Sequence, residues 1–197
     1  MTKPSTPEFD QYAERFEEDM RHAIPAAFAE DQYFVEYKMK HVAHRLLGHD
    51  VTSFLDFGCG VGHSLSFAKA LFPNAEIWGY DVSTQCLEVA RQRAGIAQLT
   101  SDLDALSASG FDVVFAANVF HHIPLADRIA VMAQCKSLLR ASGRIFLFEH
   151  NPLNPVTRRI FERCPFDKGA TMLRRREALL LAEAVGLSVV RSEYGIM

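Results

Sequence analysis

Asp56, Gly58, Gly60 and Gly62, followed by Asp81, form the group of residues in this chain whose types and spacing most clearly imply chemistry. Glycines at alternate positions free the backbone for positive φ and let a ligand approach the main chain where side chains would block it. A carboxylate at the end of the next strand accepts two hydrogen bonds from the vicinal hydroxyls of a ribose. The pattern therefore points to a nucleoside-containing ligand. A pyrophosphate-binding turn usually reads G-x-G-x-x-G, and here the place of its third glycine is taken by His63.

A second set comprises His121 and His122, Glu149 and His150, with His63 as a fourth histidine that could share the same rim. An imidazole titrates near neutrality and can take a proton from an acceptor hydroxyl or amine, so these residues are the candidates for base or acceptor binding. No His-x-x-x-His or ordered Cys/His spacing is present, and no metal centre is expected from local spacing.

Several elements must hold these residues. Val51 to Leu55 reads as a strand, the glycines as a turn, and His63 to Leu71 as a helix. Glu76 to Tyr80 is a second strand that ends at Asp81, and Ser83 is placed to cap a helix running to Ala94. A short third strand lies near 97 to 100, and Phe111 to Ala117 is a fourth that delivers Asn118 and the two histidines. Pro124 suits the first turn of a helix through Arg140, with Ile129, Met132 and Leu139 inward. Arg144 to Phe148 is a fifth strand, and the segment Glu149 to Pro155, with two prolines, predicts an irregular wall. Arg175 to Val185 reads as a helix and Leu187 to Tyr194 as a sixth strand. Upstream, Asp31 to Leu47 carries an apolar stripe at Val35, Met39, Val42 and Leu46 and predicts an amphipathic helix. Strands alternating with helices imply an α/β, doubly wound, mostly parallel Rossmann-like sheet with helices on both faces. The expectation is one domain, with residues 1–48 as a helical cap and 49–197 as the core.

The run Asp56-Phe-Gly-Cys-Gly-Val-Gly62, with Asp81 and Asn118-Val-Phe-His-His122, resembles the class I S-adenosylmethionine-dependent methyltransferases of small-molecule type, whose first motif reads D-x-G-C-G-x-G. The resemblance covers about Val51 to His150. It implies that Asp56, Gly58, Cys59, Gly60 and Gly62 hold the methionine part of S-adenosylmethionine, and that Asp81 binds its ribose. Val82 and Ser83 would follow on the adenine side, Asp102 and Leu103 would meet the adenine, and Asn118 and Val119 would line the cofactor opposite the turn. Tyr12, within Phe9 to Phe16, would cover it from the N-terminal side. The product would be S-adenosylhomocysteine, and the methyl would pass to oxygen or nitrogen of a small or carrier-linked acceptor. Such sheets normally have a seventh, antiparallel strand, which this sequence lacks; it is either a truncated segment or a form in which a partner supplies the missing strand.

Composition narrows the remaining choices. With 197 residues, 49% hydrophobic, and a net charge of −3, the chain can bury a sizeable core and has no general nucleic-acid-binding field. Charge is uneven, however. Residues 151–176 hold Arg158, Arg159, Arg163, Lys168, Arg174, Arg175 and Arg176 against only Glu162 and Asp167, which would suit an anionic acceptor. Cys59, Cys86, Cys135 and Cys164 form no C-x-x-C pair, so reduced thiols and a cytoplasmic location are expected. There is no apolar run long enough for a membrane span. The oligomeric state is open, a homodimer included. Two other readings stay open as well. One is an NAD(P)-binding oxidoreductase, though none of the five tyrosines has lysine four residues on; the other is a non-catalytic cofactor-binding or scaffold subunit.

Overall fold

A computed structural model describes residues 33–94, 97–106 and 110–195. Five strands, β1 (Ser53–Phe57), β2 (Glu76–Tyr80), β3 (Gln98–Thr100), β4 (Phe111–Ala117) and β5 (Leu139–Phe148), form a sheet in the order β3-β2-β1-β4-β5. Every pairing is parallel, with Asp56 beside Gly79 and Phe115 in the central register. The strand order reverses at β1, between β2 and β4, and this opens a crevice beyond the carboxyl ends of β1 and β4.

Two-residue alternation along the strands sends side chains to two cores. Phe54, Ile77, Val113 and Phe115 pack with Met39 and Val42 of α1 (Tyr33–Arg45) and Leu65 and Ala68 of α2 (His63–Leu71). Leu87 of α3 (Thr84–Ala94) joins that face. Leu55, Phe57, Val114 and Ala116 face the other way, onto Met132 and Cys135 of α4 (Arg128–Ser137) and Leu181 of α6 (Arg175–Ala184). The architecture is thus the Rossmann-like α/β fold with helices on both faces. All four cysteines are buried, and none forms a disulfide among the described residues. No helix among the described residues is long and apolar enough to cross a membrane.

The structure corrects several expectations. The helix after β4 begins at Arg128 rather than Pro124, because Pro124 to Asp127 closes a turn of its own through Asp127 N–H to the Pro124 carbonyl, 2.9 Å. It ends at Ser137, since Leu139 already pairs with Phe111 in the sheet. Ile129 points outward and is 51% exposed, while Met132 is buried as expected. Pro155 does not break structure but opens α5 (Pro155–Arg163), where a missing N–H costs nothing; the Asn154 side chain caps it by accepting from Val156 N and Thr157 N. The sixth strand is absent: 187–195 has a strand-like pattern but no ladder partner. Side chains hold it instead, Arg175 Nε donating to Ser192 Oγ at 2.8 Å and Glu193 meeting Arg45 at 3.1 Å and His41 at 3.3 Å. Apolar alternation describes what a strand could bury, whereas a strand exists only when a neighbour supplies the other half of each hydrogen bond.

The pairing of β4 with β5 contains an irregularity, Phe111 opposing Leu139 and Val113 opposing Arg144, so residues 140–143 loop out before the strand resumes. Gly143 lies at the return point, where a Cβ would stand 2.5 Å from the Phe111 carbonyl oxygen. Gly143→Ala should therefore destabilise the domain by about 2 kcal/mol, the scale of overpacking against backbone. The exposed neighbour Ser142→Ala should leave stability unchanged, and urea unfolding of the two variants checks the contrast.

Candidate active site

The residues singled out for a nucleoside converge at the carboxyl ends of β1, β2 and β4. Gly58, Gly60 and Gly62 all adopt positive φ, at 79°, 51° and 81°. Their turn is pinned by Gly58 N–H and Cys59 N–H donating to the Tyr80 carbonyl at 2.7 and 2.9 Å. A Cβ at Gly58 would come within 2.5 Å of Val119 Cγ2, so glycine is what lets the loop after β4 close on the turn. Asp81 is only 9% exposed; its Oδ2 accepts from Gly60 N–H at 2.8 Å and its Oδ1 from Ser83 N–H at 2.9 Å. The Ser83 hydroxyl in turn caps α3 by accepting from Cys86 N–H at 3.1 Å. Asn118 adopts φ 60°, and its buried Oδ1 has no hydrogen-bond partner among the described residues. An acceptor left unpaired at this depth is costly unless a ligand donates to it.

Asp56 lies 2% exposed at the end of β1 and accepts from the Ser64 hydroxyl. Burial pushes its pKa up to about 7, moderated by that hydrogen bond. A residue outside the expected set faces it. Lys38 of α1 is 4% exposed; burial draws its pKa down to about 8 against the pull of the Glu149 and Asp56 carboxylates. Its signal in the sequence was position, since Lys38 falls three residues after Val35 and four before Val42, on the apolar stripe.

The remaining expected contacts are looser. Val82 is 57% exposed at the rim. Asp102 is exposed and turns its own loop, accepting from Asp104 N–H at 3.0 Å, while Leu103 is half-buried beside the second core. Tyr12 lies outside the described residues.

The histidine set divides. His63 opens α2 and its ring meets the Arg93 guanidinium at 3.0 Å, apart from the others. His121, His122 and His150 gather at the ends of β4 and β5, with ring centroids 4.0 Å apart for His121 and His122 and 5.2 Å for His121 and His150. Glu149 organises them. Its Oε1 accepts from Val119 N–H at 3.1 Å and Phe120 N–H at 2.7 Å, capping the turn Phe120–His122, and its Oε2 meets His121 Nδ1 at 2.6 Å. His121 Nε2 lies 3.2 Å from Asp167 Oδ1, and His122 Nε2 lies 3.4 Å from the same oxygen. Burial opposes the imidazolium of His121, but the hydrogen bonds to Asp167 and Glu149 outweigh it and hold its pKa at about 9. Burial and repulsion from His121 bring His122 down to about 4, and burial, His121 and Lys38 do the same for His150. His121 is thus a fixed, charged centrepiece, whereas His122 and His150 are neutral and half-buried, and His150 lines the cleft beside β5.

Asp167 was not among the expected residues; in the sequence it stands as one acid within a basic stretch, and only the turn Pro165–Asp167 carries it back to His121. Arg128 was also missed. It is 1% exposed and fastens the returning chain, with Nε donating to the Ile123 carbonyl at 3.0 Å and Nη2 to the Thr171 carbonyl at 2.6 Å. An open cleft beside β5, lined by Glu149, His150, Pro152, Arg175 and Tyr194, leads to this cluster rather than to the glycine turn.

A parallel sheet in this order, with a glycine turn after β1 and an acid after β2, is a Rossmann-like α/β fold of the kind seen in methyltransferase structures. Residues 55–145, just under half of the chain, match the family model described as a methyltransferase domain. The chain is similar to the ubiquinone biosynthesis O-methyltransferase of Actinobacillus pleuropneumoniae, 34% identical over 117 residues, 53% of this chain and 47% of that protein. It is also similar to the demethylmenaquinone methyltransferase of Thermotoga maritima, 28% identical over 149 residues, 74% of this chain and 61% of that one. Among solved structures, a SAM-dependent methyltransferase from Archaeoglobus fulgidus shares the fold with a TM-score of 0.68 at 19% identity, covering 89% of this chain and 74% of that one. The chain spans about half the length of the first curated relatives it matches.

The buried ammonium of Lys38 yields a pH-dependent expectation. Its pKa of about 8 in the folded protein lies below the 10.5 of the unfolded chain, so wild type carries the cost of that charge below pH 8 and sheds it as pH rises toward 10.5. Lys38→Met should therefore be more stable than wild type at pH 7, by on the order of 3 kcal/mol, with the gap closing between pH 8 and 10.5 in urea titrations.

Proposed function

We propose that this chain binds S-adenosylmethionine at the glycine turn and transfers its methyl group to an oxygen or nitrogen of a small or carrier-linked acceptor. The observation that carries the reading is the juxtaposition of the open glycine cradle, the Asp81 carboxylate and the unpartnered Asn118 Oδ1 at the ends of three neighbouring strands. These residues fit the cofactor. Backbone N–H groups of Gly60 and Ser83 orient the Asp81 carboxylate at the strand end, where a ribose would lie. Lys38 and Asp56, a buried opposite-charge pair, suit the carboxylate and ammonium of an amino acid moiety. Asn118 Oδ1 suits a donor from the same moiety. When bound, the sulfonium supplies an already activated methyl group.

What remains for the protein is placement of the acceptor. His150 presents a neutral imidazole to the cleft with the neutral His122 beside the cluster, and His121 and Glu149 act through them as positioning residues. The O-methyltransferase names of the curated relatives favour oxygen as the methylated atom. Exposed Arg158, Arg159 and Arg163 on α5 and Arg174 to Arg176 at the start of α6 favour an acceptor carrying negative charge. A soluble enzyme acting in the cytoplasm fits this reading.

Calorimetry with S-adenosylhomocysteine tests the cofactor half. Wild type should bind, Asp81→Ala should lose at least about tenfold in affinity, equivalent to roughly 1.4 kcal/mol, and Lys38→Met should lose affinity although it gains stability. Absence of binding to folded wild type would overturn the reading. Transfer of a tritiated methyl from S-adenosylmethionine into the small-molecule fraction of a cell extract tests the enzymatic half; a scaffold subunit would label nothing.

A further inference from the structure

Three groups from three separated stretches of chain, His121, His150 and Asp167, place ligand atoms within 4.8 Å of one another, and His150 also lines the cleft. We propose that they form a binding site for a divalent transition-metal ion, with zinc as the reference ion, and that Glu149 orients the His121 ligand while His122 stands ready as a fourth.

The geometry supports this in three respects. First, His121 Nδ1 is committed to Glu149 Oε2 at 2.6 Å, which leaves Nε2 directed at the other members of the cluster. A carboxylate that fixes the far nitrogen of a metal-binding imidazole is the usual outer-shell arrangement of protein metal centres, and Glu149 is itself locked by the Val119 and Phe120 amides. Second, two of the separations are close to those of ligands around one ion. Bonds of about 2.0–2.1 Å to nitrogen and oxygen place neighbouring ligands of a tetrahedral ion about 3.3 Å apart. His121 Nε2 and His122 Nε2 lie 3.2 and 3.4 Å from Asp167 Oδ1, long for charge-assisted hydrogen bonds and close to that edge. Third, the donor set is appropriate: imidazole nitrogens with a carboxylate are the ligands zinc and its neighbours prefer, and His121 and Asp167 side chains are 1% and 7% exposed.

The imidazolium of His121 donates Nδ1–H to Glu149 and Nε2–H to Asp167, and the ion would take the place of the Nε2 proton, which is released to solvent. His150 is half-buried, so one coordination position would face the cleft for a water or an acceptor oxygen. That last use rests on the methyltransferase reading; binding of the ion does not. Local spacing concealed the site because its ligands come from the turn after β4, the end of β5 and the turn after α5.

Cobalt(II) titration of the full chain, after chelation and with S-adenosylhomocysteine binding measured in parallel, tests it. The expected result is one equivalent bound, visible absorption of a tetrahedral ion, and competitive loss of the bands on adding zinc. His150→Ala and Asp167→Asn should each weaken binding at least tenfold, whereas His44→Ala, an exposed histidine of α1, should not. Circular dichroism identifies any variant that fails to fold, and His122→Ala then replaces it, with weaker binding expected. No bands with folded wild type, or bands that survive His150→Ala in a folded sample, would overturn the metal site. S-adenosylhomocysteine binding would still stand in either case, which separates this failure from that of the methyltransferase reading.

Discussion

The carboxylate of Glu149 is the interaction on which the histidine cluster of this structure depends. It stands at the end of β5 with its side chain 8% exposed, and it joins two strand ends that no ladder hydrogen bond could join beyond Asn118. By accepting from Val119 and Phe120 it caps the short turn that carries His121 and His122; by meeting His121 Nδ1 it fixes the plane of that ring. Burial alone would raise its pKa, but the His121 contacts and the Phe120 amide reverse the shift, so it remains ionised. Removing one partner of such a buried group would leave the other charge uncompensated, which is far more costly than the pair is favourable.

The cofactor side is built by a different means. There the backbone does most of the work: the Tyr80 carbonyl draws in the glycine turn, Asp81 clasps Gly60 and Ser83, and Val119 fills the space that any side chain at Gly58 would need. The two halves meet at Asn118 and Val119, which face the turn through one residue and lead into the histidine cluster through the next. Lys38 links them electrostatically, since the carboxylates acting on it are Glu149 from one half and Asp56 from the other.

Such an arrangement carries a stability cost concentrated in the crevice. A buried lysine with a depressed pKa, a buried aspartate with a raised one and an unpaired amide oxygen are all features a fold selected only for stability would lack. Asp56 and Asn118 stand at the ends of β1 and β4, where the strand order reverses, and Lys38 is coupled to Asp56 from α1.

The sequence by itself determined the parallel α/β core, the glycine turn, the Ser83 cap and the positions of Asp56, Asp81 and Asn118. Each is set by local rules: period-two runs buried on both faces, glycine where φ is positive, and a hydroxyl at a helix start. The histidine cluster was legible only in part. His121 and His150 could be placed at strand ends from their neighbours, but Asp167 reaches them only through the turn after α5, and Lys38 enters only because α1 packs on α2 and the sheet face of Phe54 and Phe115. The sixth strand failed for the same reason, since pairing needs a partner that residues 187–195 do not find in the described sheet. Tertiary structure decided every feature that depends on two distant stretches sharing one dielectric environment, because burial and charge coupling are properties of the assembled crevice and not of any segment within it.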